Sequence, residues 1–200
     1  MTSSFRNLVL ALGLAFLCVA APSVRASDIE PPTGSNPAPE AAFSTYNHFE
    51  VKPIAMEAPY AGQEANEKAK IKIQQNLDLR LNPLIAEWNK KAPAGAATKT
   101  LVIEPVIQQI KFINATARVW GGGFAGASGV LLQIRFVDSA TGKAIASPVF
   151  YQRANKMGGA WSFGATDNNM LVRITEVATK YIEANYASAV GGPTGAEAKK

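Results

Sequence analysis

The side chains with the greatest chemical reach in this 200-residue chain are few: one histidine, one cysteine and scattered carboxylates. His48 would have to serve any histidine-based triad. It sits mid-strand by pattern, and no Gly-x-Ser-x-Gly elbow or signature cysteine motif accompanies it. A single histidine also excludes a His-rich metal cluster, so His48 reads as an edge or surface residue. Asp138 and Asp167 are accounted for by turn and cap duties. Glu104 would be an acid or base if buried, but nothing in the sequence pairs it with a second carboxylate. The charges from Glu64 to Lys72 read as a solvated helix face. Neither a cofactor nor a metal is called for.

A different chemistry is offered by Ala117 to Gly129, where five glycines fall within residues 121–129 beside Trp120 and Phe124. Glycine backbones accept positive φ and close approach, so bare amides there could cradle an anion. Phosphate loops, however, normally deliver their anion to a helix N-terminus with a Lys-Ser/Thr close by, and this segment runs into a strand. Two readings therefore stand ahead of it. The glycines permit a bulged, twisted connection packed on Trp120 and Phe124. Alternatively, the aromatics contact a membrane, a glycan or a neighbouring subunit. A second Gly-rich loop, residues 157–164, carries Trp161 and Phe163. If the strands bring both loops to one end of a sheet, then Arg118, Trp120, Gly121, Gly122, Gly123, Phe124, Arg153, Trp161 and Phe163 form one candidate binding surface.

The elements that would position these loops follow from periodicity. Residues 46–52 alternate apolar and polar as a half-buried strand does. Ala65, Ala69, Ile73, Leu77 and Leu81 recur every four residues, the stripe of an amphipathic helix. Asn82-Pro83 is expected to interrupt it and to start a second short helix over 84–90. Residues 100–113 are β-branched and apolar, with Pro105 marking an edge or a bulge. Residues 128–138 place Val130, Leu132, Ile134 and Phe136 on one face. Asp138 to Gly142 is a turn, residues 143–153 return as the partner strand, and Thr166 or Asp167 caps a final helix. That helix carries the stripe Leu171, Ile174, Ala178, Tyr181, Ile182 and Asn185. The order β-α-β-β-β-α predicts an α+β two-layer sandwich, a mostly antiparallel sheet of about four strands under two main helices on one face. Its first β-α-β passage suits a parallel crossover.

The first residues give an address. Arg6, an apolar run from Leu8 to Ala21 and the Val24-Arg25-Ala26 site compose a secretory signal peptide over 1–26, and a run of about fourteen residues is too short to span a bilayer. Cleavage after Ala26 removes Cys18, leaving a mature chain without cysteine or disulfide. Lipid attachment at Cys18 is disfavoured, because Phe16-Leu17 rather than a small residue precedes it. Loss of Arg6 and Arg25, with no acid in that stretch, lowers the formal charge from +5 to +3. These cations are dispersed, which argues against nucleic acid and supports at most a weak attraction to anionic surfaces. The mature chain has no second apolar run of spanning length. Residues 27–42, rich in Pro, Ala and Ser, are expected to be a disordered tether, and 190–200 a disordered tail. A single domain over 43–189 remains.

One resemblance gathers these features. Leu101-Val102-Ile103-Glu104-Pro105, Arg118, the Gly121 to Gly129 loop and the Asp138-x-x-Thr141-Gly142 turn make residues 43–187 similar to uncharacterised Gram-negative envelope proteins, many of them lipoproteins with domains of unknown function. Their fold is similar to the small α/β domains of periplasmic assembly and secretion lipoproteins, including the curli-secretion type. Some of those form rings or associate with the outer membrane. The resemblance brings no catalytic residue. It implies an envelope accessory role, while this chain departs from the lipoprotein members in lacking a proper lipid-acceptor cysteine.

The expectation is thus a periplasmic or secreted binding or assembly protein rather than a catalyst. Its partners would be an envelope protein, a glycan, a membrane surface or itself. An enzyme acting on an envelope polymer through acidic residues, or a carrier of a small apolar ligand, are the alternatives. N-terminal sequencing of the exported protein should begin Ser27-Asp28; a chain still carrying Cys18 with attached lipid would contradict the signal assignment.

Overall fold

The alternation in the strand 128–138 holds: Val130, Leu132, Ile134 and Phe136 are all fully buried in the computed structural model, which describes residues 29–92, 95, 97–112, 127–154 and 165–196. The elements are β1 (Ser35–Asn36), a 3-10 turn (Phe43–Thr45), β2 (His48–Val51), β3 (Ala55–Met56), α1 (Glu64–Lys90), β4 (Thr100–Lys111), β5 (Gly129–Asp138), β6 (Ala144–Ala146), β7 (Val149–Arg153), α2 (Ala165–Ala187) and β8 (Gly192–Pro193). The fold is α+β, as expected, but its strands form a six-stranded mixed sheet and a separate two-stranded one. The expected single four-stranded sheet differs because two of its strands are broken. β2 and β3 succeed one another along β4, both parallel to it. β6 and β7 likewise succeed one another along β5, both antiparallel to it.

Prolines explain both breaks. Pro53 separates β2 from β3, and Pro148 separates β6 from β7. Pro105, expected at an edge or bulge, lies inside β4 opposite Ile134. The Ile103 and Ile107 carbonyls accept from Lys52 and Glu57. Residue 105 therefore faces the gap between β2 and β3, where no partner strand requires its missing N–H. The register slip in β4 falls two residues on, between Ile107 and Gln109.

α1 connects the parallel strands β2 and β4, as the crossover reading requires. It is one continuous helix, not two, and Pro83 lies within it. The carbonyl that Pro83 leaves without a helical donor is that of Leu79, whose residue is 74% exposed, so water can satisfy it. The buried stripe Ile73, Leu77, Leu81, Ile85 and Trp88 runs unbroken on the other side. Ala65, assigned to that stripe, is exposed, and Asn66 is buried in its place, donating to the Tyr60 carbonyl at 3.0 Å. In α2 every residue of the expected stripe is buried. The helix starts slightly earlier than expected, with Asp167 in its first turn. Arg80 of α1 pairs with Glu176 of α2 at 3.0 Å. Trp88 stacks on Tyr186 at 4.1 Å and tilts against Phe49 at 5.2 Å.

The turn at Asp138 is built as its residues suggest. Its Oδ1 accepts from the N–H groups of Ala140 and Thr141, and Gly142 takes φ 69°. These backbone donors, first that of Thr141, hold the Asp138 carboxyl below its ordinary value. The Tyr46 hydroxyl donates to its Oδ2 at 3.0 Å. Burial, then this carboxylate, push the Tyr46 pKa up to about 12.

The described parts of the two segments expected to be disordered, 29–42 and 190–196, are docked. β1 pairs with β8, and the Asn36 amide exchanges two hydrogen bonds with the backbone of Val149. Ile29 is 8% exposed. At the C-terminal side, the Asn185 carboxamide holds the backbone of Val190 and Gly191. A Cβ on Gly191, at φ +75°, would lie 2.6 Å from the Asn36 carbonyl oxygen. The composition rule weighs apolar side chains, whereas these segments are held mainly by backbone and amide groups.

Asn89 performs the matching task on the opposite edge. Its Oδ1 accepts from Phe49 N–H at 2.7 Å and its Nδ2 donates to the Phe49 carbonyl at 3.1 Å. Asn89→Ala would leave both groups unpaired in a partly buried setting, a loss of about 2 kcal/mol in urea unfolding. Asn89→Asp, which keeps the acceptor, should lose less. Equal stability of Asn89→Ala and the parent would show that this amide does not hold the edge.

Candidate strand-end site

Three strands of the main sheet terminate side by side. Gly129, the first residue of β5, is in register with Lys111 at the end of β4 and with Arg153 at the end of β7. Cross-strand partners share a face, so Lys111 and Arg153 flank the one position between them that has no side chain. The neighbouring pair Val130 and Ile110 points to the helices and is buried. Lys111, Gly129 and Arg153 consequently lie on the face away from α1 and α2.

The site's surroundings are anchored from three directions. Ile29 crosses from the N-terminal segment, and a Cβ added at Gly129 would meet its Cδ1 at 3.4 Å. Ala154 N–H donates to the carbonyl of buried Ser128 at 2.9 Å, tying the end of β7 to the start of β5. Arg173 of α2 donates through Nε to Gln152 Oε1 at 2.9 Å and through Nη2 to the Arg153 carbonyl at 2.7 Å. Gln152 Nε2 in turn donates to the Gly195 carbonyl. α2 therefore begins at the same end of the sheet at which β4 and β7 stop.

Of the sequence-selected binding residues, Arg153 is described: it is exposed, and among the described residues no carboxylate pairs with its guanidinium. Arg118, Trp120, Gly121, Gly122, Gly123, Phe124, Trp161 and Phe163 lie outside the described residues. Their attachment points are nevertheless fixed. The first Gly-rich segment leaves after β4 and re-enters before β5; the second leaves after β7 and re-enters at α2. The register brings three of these points, the ends of β4 and β7 and the start of β5, to one place.

Elsewhere the candidate acids and the histidine have ordinary occupations. Glu104 Oε2 accepts from Arg135 Nη1 at 3.2 Å across β4 and β5, on the face away from the helices. His48 lies on the edge strand β2, with Nε2 3.9 Å from Glu50 Oε1. Among the described residues no three His, Cys, Asp or Glu side chains gather to hold a metal, and no helix is long and apolar enough to cross a membrane. Apart from Asp138 and Tyr46, the buried Tyr181 is also displaced, its pKa raised to about 12 by burial.

Sequence reasoning missed Ile29, Gln152 and Arg173 as supports of this end. Ile29 had a signal, being the one large aliphatic residue in 27–42. Arg173 had none, because its role depends on where α2 lies against β7.

No family model and no curated protein matches the chain. Solved structures similar to it include the PelC dodecamer of Paraburkholderia phytofirmans, with 12% identity over 70% of this chain and 91% of that one and a TM-score of 0.34. Protein XCC0632 of Xanthomonas campestris, from family-model DUF330, has 13% identity over 76% and 93%, with a TM-score of 0.35. The hypothetical protein CT253 of Chlamydia trachomatis has 10% identity over 70% and 99%, with a TM-score of 0.33. Likeness at this level leaves fold and function to rest on the chain itself.

Proposed function

We propose that this chain is an exported, non-enzymatic accessory protein of the cell envelope that binds or assembles through the end of its sheet. The observation that carries the reading is the shared register of Lys111, Gly129 and Arg153. It roots two Gly- and aromatic-rich segments at one place, beside the cations of Lys111 and Arg153. Aromatic side chains lose little rotamer freedom and bury large areas, so Trp120, Phe124, Trp161 and Phe163 suit contact with a protein, a glycan or a membrane surface. The exposed guanidinium of Arg153 favours a partner bearing anionic groups. The enzyme alternative is weakened where it was strongest, since Glu104 serves an ion pair with Arg135 on the sheet surface.

Trp120→Ala combined with Trp161→Ala should weaken capture of the envelope partner by more than about tenfold, as removal of central aromatic anchors does. On the binding reading, thermal unfolding should be unaffected; among the described residues the core tryptophan is Trp88. A folded double variant that retains its cross-linked partners from the native envelope fraction would refute the strand-end reading. Unfolding of the double variant would assign the aromatics to packing instead.

A further inference from the structure

The outer side of β6 and β7 is closed by the chain's own N-terminal segment, residues 29–40. Glu40 N–H donates to the Ile145 carbonyl at 2.9 Å, and the Asn36 amide takes both backbone groups of Val149 at 2.8 and 2.9 Å. Tyr181 Oη donates to the Pro37 carbonyl at 2.9 Å. Thr194 Oγ1 donates to the Thr33 carbonyl at 2.7 Å. Glu40 and Lys143 form an ion pair at 2.6 Å, and Ile29 covers Gly129.

We propose that residues 29–40 are an exchangeable arm, and that the β6–β7 edge of one copy of this chain accepts the same arm from a second copy. Each contact above joins the arm to residues beyond position 128, so each can form unchanged between chains. Only Ala41-Ala42 separates Glu40 from Phe43, which is buried and stacked on Phe136 at 4.5 Å. The pivot is thus fixed while the arm has a short connection on which to turn. Pro37 and Pro39 keep the arm extended when free, which lowers the entropy lost when it docks again. The recognition is specific in register, because a carboxamide can satisfy an N–H and a C=O of the same edge residue only at one position along the strand. Mutual exchange closes both edges at once and yields a two-fold dimer rather than a filament. The arm meets the strand-end site through Ile29 on Gly129, but the test is read at positions 40 and 143 and does not depend on what that site binds.

The chain's one cysteine is Cys18, so a chain begun at residue 27 is a thiol-free background. One batch carries Glu40→Cys and a second, isotope-labelled batch carries Lys143→Cys; the ion pair they interrupt is exposed and contributes little to stability. The two are unfolded together, refolded at high concentration and treated with a short bismaleimide. Arm exchange predicts a mixed cross-linked dimer at least about fivefold above either like-with-like dimer, and its loss when Asn36→Ala is added to the arm-bearing chain. A chain carrying both cysteines should cross-link within itself when refolded dilute. No excess of the mixed dimer, or no internal cross-link in the doubly substituted chain, would overturn the proposal.

Discussion

The antiparallel ladder between β4 and β5 is the constraint on which the rest of the molecule depends. Its register runs from Leu101 opposite Asp138 to Lys111 opposite Gly129. At one end it sets Asp138 beside Tyr46 and builds the turn. At the other it sets Gly129 between Lys111 and Arg153, and thereby decides where both Gly-rich segments are rooted. A slip of one residue would turn Val130, Leu132, Ile134 and Phe136 outward from the helices, so core burial enforces the register that organises the site.

A sheet fixed in this way still has two sides to close. Unpaired strand edges invite other chains, and natural proteins cover them. Here carboxamides do much of that work. Asn89 and Gln74 from α1 satisfy Phe49 and Ile54, while Asn36 satisfies Val149 and the Thr194 carbonyl satisfies Tyr151. A side-chain amide offers the same donor and acceptor as a peptide group without presenting a new edge beyond it. With these edge groups paired, association through the end of the sheet, or by trading the covering arm for an identical one, preserves the hydrogen bonds of the fold.

Much of this was legible in the sequence, for reasons tied to particular residues. Period-two alternation in β5 and the stripe of α2 are direct consequences of one-sided burial. The Asp138 turn depends on contacts within five residues. Pro83 misled because its cost depends on which side of the helix its missing bond falls, and that side is set by Ile85 and Trp88 meeting the sheet. The broken outer strands were half legible: Pro53 and Pro148 were visible, but their spacing against β4 and β5 is a tertiary property. Residues 27–42 and 190–200 read as mobile because they contain few apolar side chains, yet 29–40 and 190–195 are docked. Their docking rests on Asn36 and Thr194, whose partners lie far away in sequence, and on Asn185, whose amide holds Val190 and Gly191 only a few residues on. Of the candidate site, the sequence shows two aromatic Gly-rich segments, and only strand pairing shows that Lys111, Gly129 and Arg153 beside them meet.

Side-chain amides thus hold one residue on each outer edge of the sheet, Phe49 and Val149, at both of its backbone groups. Native-state hydrogen exchange resolved at the Phe49 and Val149 amides tests this most directly. Closure predicts that both exchange on the slow scale of interior strand amides such as those of β5, through large cooperative openings. Exchange of either amide near the rate of an unstructured chain would mean that its side of the sheet is open, and would contradict the account.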